Sequence, residues 1–299
     1  MRPSTRPIAV LALAILGISF AAPLVRLSRA HPLAIAAWRL GFSLVLVAAF
    51  LVPARGWRQW ARLGKGGLAL AAGAGVMLAL HFWSWNTSVG LTTVAASVVL
   101  VNLQPVIVAV LSAAWLREPP SRTQWLGIAA AVLGAAVVAA PDLARTAGAL
   151  GNRALVGDLL ALAGAVTAAL YYLVGRRTRQ ALDLWPYVAL VYGACLATLV
   201  LIAGVTRVPL WPEPPRELAI FAALALGPMM LGHTGMNWAL RYLPAYVVNL
   251  TTLGEPVGAT LLAAALPGIR EVPPLLTFVG GSLVLAGIAV ALPRPAPRR

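Results

Sequence analysis

Ten stretches dominated by apolar residues divide the chain, near 8–25, 33–52, 67–89, 91–116, 124–140, 154–175, 185–205, 218–240, 244–266 and 273–292, each bounded by charged or Pro/Gly-rich breaks. A helix needs roughly 20 apolar residues to cross a bilayer, and these runs are of that order. Strands of a membrane barrel are about ten residues long and alternate in polarity, which these runs do not. The pattern predicts an all-α, polytopic membrane protein with ten transmembrane helices. The first run follows Arg2 and Arg6 as a signal peptide would. Its repetition nine times over argues for an uncleaved first span.

Composition agrees with a bilayer as solvent. Of 299 residues, 61% are hydrophobic and 10% charged, against roughly 25% charged in soluble domains. The net charge of +15 would suit nucleic acid only if the basic residues formed one patch or stripe. They sit instead in short clusters between the runs, where they encode orientation. With the N-terminus inside, 15 basic residues fall on the cytoplasmic side and 7 outside, Arg39 being left within a span. Both termini are therefore expected in the cytoplasm. Trp57, Trp60, Trp115, Trp125, Trp185 and Trp211 fall near span ends, as interfacial anchors do.

The single cysteine, Cys195, lies in an apolar run. It excludes an internal disulfide and any zinc or iron–sulfur site built on several thiolates, and no metal or cofactor is expected. No glycine-rich loop ending in Gly-Lys-Ser/Thr occurs, so a nucleotide-driven pump is excluded as well.

An internal repeat organises the runs. Asn86 to Pro105, ending Asn102-Leu103-Gln104-Pro105, aligns with Asn237 to Pro256, ending Leu253-Gly254-Glu255-Pro256, at an offset of about 151 residues. Gly127 and Gly134 then align with Gly280 and Gly287 after a two-residue slip. Five helices repeat as five, predicting one half over 1–146 and another over 147–299. An odd number of spans per half inverts one half against the other, an arrangement recurrent in secondary transporters.

On these residues the sequence resembles the drug/metabolite transporter superfamily in its ten-helix form of two EamA-type repeats. Each half carries a mid-span proline, a basic–acidic pair and a glycine-spaced helix: Pro105, Arg117-Glu118, Gly127 and Gly134, then Pro256, Arg270-Glu271, Gly280 and Gly287. Arg39 matches an arginine common in the family's second helix. The run His81-Phe82-Trp83-Ser84-Trp85-Asn86 looks like the YddG-type aromatic amino acid exporters. The resemblance implies an inner-membrane exporter of amino acids, aromatic ones foremost, within a family that also exports nucleosides, drugs and sugar phosphates.

The few polar residues at mid-depth are the candidate substrate-binding groups. Pro105 and Pro256 lack an N–H and leave the carbonyls of Val101 and Thr252 without their usual partners, marking hinges or plain kinks. Gln104 and Glu255 occupy equivalent positions beside them. An acid at that depth faces a cavity or a partner, so Glu255 is read as binding an ammonium, relaying a proton or pairing with Arg39. Arg39, permanently charged, could instead take a carboxylate. His81 and Trp85 share a helix face, whereas Trp83 lies about 200° from Trp85. Trp83, Trp85 and Tyr171 offer rings for stacking, and Asn102 and Asn237 offer amides for cargo or for helix contacts. The expected partners are thus a small-molecule substrate and the lipid bilayer, not nucleic acid, and a monomer suffices. The main rival class, an intramembrane enzyme on lipid-linked substrates, needs clustered acids and histidines. Three histidines, one cysteine and one deep acid supply few.

Overall fold

The computed structural model describes residues 6–92, 97, 100–146, 151–211, 214–265 and 275–292, and every regular element among them is helical. Helix α1 (Arg6–Ser19) passes through Phe20 into α2 (Ala21–Leu27), and α3 spans Pro32–Leu51. Helix α4 (Gly64–Leu91) follows a 3₁₀ segment over Gly56–Leu63, and α5 (Gln104–Leu111) widens into a π turn over Ser112–Leu116. Then come α6 (Arg122–Thr146), α7 (Gly151–Thr178) and α8 (Leu184–Thr206). Helix α9 (Pro215–Leu224) continues as a π segment, Ala225–His233, into α10 (Thr234–Ala239). Helix α11 (Ala245–Leu250) leads through a 3₁₀ turn, Thr251–Leu253, into α12 (Gly254–Ala265), and α13 is Leu275–Ala291. Six helical stretches among the described residues are long and apolar enough to cross a membrane: Arg6–Val25, Pro32–Leu51, Gly56–Ser88, Arg153–Thr178, Leu184–Thr206 and Pro215–Ala239. Gln104–Leu116 and Phe278–Ala291 are shorter apolar helices.

Local chemistry sets several boundaries. Helix α3 opens with His31, whose Nδ1 accepts from the Leu33 N–H at 3.2 Å, followed by Pro32, whose missing N–H costs nothing in a first turn. Arg117 and Arg207 end their helices in the left-handed region, at φ of 56° each, so that chain reversal and a positive charge coincide at the negative end of a helix.

Small residues decide which helices touch. A methyl group on Gly127 would stand 2.6 Å from the carbonyl oxygen of Gly287, and one on Gly134 2.6 Å from that of Gly280. Helices α6 and α13 therefore run antiparallel with their backbones in contact. Helix α4 packs along α7 and α8, α8 also meets α3, and α1 lies on the π segment after α9. That last contact rests on Gly17, where a methyl would approach the Gly227 oxygen and the Gly232 nitrogen at 2.9 Å. The core so enclosed is unusual in its buried phenols, Tyr171, Tyr187 and Tyr192.

Candidate functional site

Both repeat-equivalent prolines stand in the first turn of a helix and not in the middle of one. The chain turns at Asn102–Leu103 before α5 begins at Gln104, which places Pro105 in a first turn. Its counterpart passes through the 3₁₀ turn Thr251–Leu253 before α12 begins at Gly254, with Pro256 in that first turn. A proline at such a position loses no hydrogen bond, so the break belongs to the residues before it. This revises the expectation of mid-helix kinks: each proline follows a short irregular segment, Asn102–Leu103 or Thr251–Leu253, and such backbone at membrane depth occurs only inside protein or along a cavity.

Those two breaks face one central cavity of about 80 Å³, several times the roughly 10–15 Å³ that one water needs. It is lined by Arg39, His81, Trp85, Asn102, Gln104, Tyr171 and Glu255, all singled out from sequence, and also by Phe82, Tyr172, His233, Met236 and Thr252. Gln104 Nε2 donates to Thr252 Oγ1 at 3.2 Å, joining one break to the other. The Thr252 hydroxyl donates to the Asn249 carbonyl at 2.7 Å.

Helix α4 supplies the ring-bearing wall. His81 Nδ1 lies 3.0 Å from the carbonyl oxygen of Gly164, and since a carbonyl only accepts, Nδ1 carries the proton. In a neutral imidazole Nε2 is then the acceptor. Gly164 makes this reach feasible, because a methyl there would press against Ser84 Oγ at 3.2 Å. The rings of His81 and Trp85 are parallel within 1°, with centroids 6.4 Å apart. Arg39 is buried, its guanidinium carbon 4.0 Å from the centroid of Phe82. A cation over a ring face is held by the ring quadrupole. Among the described residues no salt bridge involves Arg39 or Glu255, so the two share the cavity without a direct ion pair.

Unmet hydrogen-bonding groups collect at this place. Nine buried side-chain polar atoms have no partner among the described residues, and five of them line the cavity: Arg39 Nε, Trp85 Nε1, Asn102 Nδ2, Gln104 Oε1 and His233 Nδ1. Native interiors satisfy the large majority of such groups, so a concentration of exceptions marks a ligand or water position.

Two sequence candidates stand elsewhere. Trp83 points away from the central cavity and, 36% exposed, lines a second one of about 260 Å³ with His31, Asn86 and the other side of Phe82. Asn237 is fully buried behind Tyr171: the tyrosine hydroxyl donates to Asn237 Oδ1 at 2.9 Å, and Asn237 Nδ2 lies 2.7 Å from that hydroxyl. Trp38 also stays off the cavity, its indole N–H donating to the Leu210 carbonyl at 2.8 Å. Phe82 carries no signal in the sequence, and Thr252 stands out there only for its carbonyl, since a ring or a hydroxyl in an apolar run says nothing until its neighbours are known. Pro228 was equally silent. Without an N–H it cannot bond back to Leu224, and the backbone around it widens into the π segment that ends at His233.

Comparison with known proteins bears on this arrangement. The EamA-like transporter family matches the chain twice, over residues 7–140 and 155–292. An uncharacterized transporter of Archaeoglobus fulgidus is 26% identical over 283 residues, covering 92% of this chain and 94% of that protein. The uncharacterized transporter YdfC of Bacillus subtilis is 24% identical over 216 residues, 71% of this chain and 67% of its own length. A solved crystal structure superposes with a TM-score of 0.76 at 22% identity, covering 96% of each chain, a likeness of fold.

Proposed function

The chain belongs to the EamA-like transporter family, and on that premise we propose that this membrane transporter exports small zwitterionic metabolites, amino acids and aromatic ones among them, by alternating access. The observation that carries the reading is the composition of the unpartnered groups around the central cavity. Arg39, the Trp85 indole N–H and the Asn102 amide are donors suited to a carboxylate. Glu255, Gln104 Oε1 and the His81 Nε2 lone pair are acceptors suited to an ammonium. The parallel rings of His81 and Trp85 and the Tyr171–Tyr172 pair give a planar side chain surfaces to stack on.

In this reading the protein is two inverted halves, 1–146 and 147–299, in a cell inner membrane with both termini cytoplasmic. The crosswise glycine contact supports the inversion, since Gly127 meets Gly287 while its repeat mate Gly280 meets Gly134. Only an antiparallel, two-fold-related pair places equivalent residues so. Pro105 and Pro256 mark the flexible joints, where the irregular turns before them absorb the rocking of one set of helices against the other. Driving force comes from a gradient of substrate or protons.

Counterflow in proteoliposomes tests the proposal. Vesicles preloaded with unlabelled phenylalanine should accumulate labelled phenylalanine saturably. Ion conductance without counterflow would overturn the carrier reading, and counterflow restricted to nucleosides would overturn the amino-acid one.

A further inference from the structure

The two ends of the bundle are chemically unequal. At the end bearing Arg58 and Arg62, the last two turns of α7 are bonded to α10 and the residues just past it. Tyr171 exchanges two hydrogen bonds with Asn237, and the Tyr172 hydroxyl donates to Met236 Sδ at 3.1 Å. Arg176 donates to the Leu240 carbonyl at 2.8 Å and Arg179 Nε to the Asn237 carbonyl at 3.0 Å. Arg241 pairs with Asp183 at 2.8 Å just beyond. Arg179 is only 1% exposed, and among the described residues no salt bridge reaches it. Its charge is met by the Asn237 and Leu182 carbonyls near the C-terminal ends of α10 and α7, the negative ends of both helices.

The repeat maps α10 onto the far end of α4, with Asn237 on Asn86, and α7 onto the α1–α2 run. Among the described residues that copy of the contact lacks the bonds, α2 being tied instead to the start of α9 through Leu27 and Ser28. Helix α2 has no tyrosine, and among the described residues no hydrogen bond or ion pair joins α2 to α4. Asn86 has no side-chain partner among the described residues and lines the second cavity, while Ala21 of α2 and Trp85 of α4 both line the central one. Where α7 and α10 are closed together, α2 and α4 stand apart.

We propose that the Tyr171–Arg179 stretch of α7 and the Met236–Arg241 stretch form the inner gate as a polar zipper, that the structure is the outward-facing state, and that the missing counterpart makes this the resting state. Tyr171 belongs to both the cavity wall and the zipper, so cargo against Tyr171 acts directly on the gate. The cargo coupling and the cytoplasmic placement rest on the transport reading given above, whereas the asymmetry does not.

Cysteine accessibility separates the two. In a Cys195→Ala background, an Ala168→Cys substitution puts the only thiol on the cavity wall, and a membrane-impermeant maleimide is applied to right-side-out and inverted vesicles. The parent should label chiefly from the outer face. Tyr171→Phe combined with Asn237→Leu should shift the inner-to-outer labelling ratio about fivefold for each hydrogen bond lost, and Arg176→Gln, which gives up the Glu118 ion pair as well as the Leu240 bond, should shift it in the same direction. Arg241→Gln removes only a partly exposed pair, leaves folding intact and should shift the ratio less. Equal labelling from both faces in the parent, or an unchanged ratio in variants with unaltered melting, overturns the gate. Protection of the thiol by L-phenylalanine supports the coupling to cargo. An intact gate response with no protection removes the amino-acid reading and leaves the gate standing.

Discussion

Arg39 is held by a ring and not by an acid. Its guanidinium lies on Phe82, its Nε is unpartnered, and the carboxylate sharing its cavity, Glu255, makes no salt bridge among the described residues. On the transport reading proposed above, the Arg39 guanidinium and the Glu255 carboxyl, not paired with each other, are both left for cargo. His81→Ala or Trp85→Ala should therefore raise the half-saturation concentration for aromatic amino acids about two- to tenfold, the loss of one ring contact of about 0.5–1.5 kcal/mol, with the protein still folded in the membrane. Counterflow kinetics check this, and unchanged values in both variants would retire α4 as the recognition wall. At the rim, hydrogen bonds from Gln59 and Arg241 hold the Asp183 carboxyl below its ordinary 3.8. A depressed value stabilises the fold above the unfolded pKa and is lost as pH falls through the folded one. Asp183→Asn should thus remove a small part of the melting-temperature drop below about pH 4, small because the group is largely solvated. A melting series from pH 6 to pH 2.5 measures it.

Among the helices, glycine contacts and irregular turns position the site. Gly127→Val would force a side chain into the Gly287 carbonyl and should destabilise by about 1–3 kcal/mol. Gly41→Ala, with nothing within 4 Å of the added methyl, should be neutral or stabilising by up to about 1 kcal/mol through helix propensity; thermal unfolding in detergent distinguishes the two signs. Pro228→Ala restores an N–H, lets the π segment tighten toward α geometry and turns His233 by about 100° for the residue removed from the bulge. Transport should fall while melting holds, and an unaltered rate would show that the bulge serves packing alone. Much at this scale was legible beforehand: the apolar runs, both prolines and the glycine spacing carry periodic signals. The proline breaks were read one step off, as kinks, because sequence shows that an N–H is missing but not where the preceding turn unwinds. The π segment was invisible, since one extra residue per bulge hardly changes an apolar pattern. Of the site, the charged and amide groups stood out against an apolar background. Trp83 and Asn237 went to other surroundings because facing is decided by neighbours that a single helix does not reveal.

For the molecule as a whole, charge placement makes a separate claim. A reporter fused after Arg299 should read as cytoplasmic, and an epitope inserted between Thr146 and Gly151 should be accessible from outside. The opposite result would invert the zippered end as well and turn the proposed exporter round. The crosswise contact of Gly127 with Gly287 and Gly134 with Gly280 has a further bearing at this scale. Each half presents the same glycine-spaced surface, and that surface is complementary to itself. A chain of half this length, inserted once in each direction, would hold everything needed to pair by this seam. In the full chain the two copies face each other, so at these four glycines the seam is satisfied within a single chain.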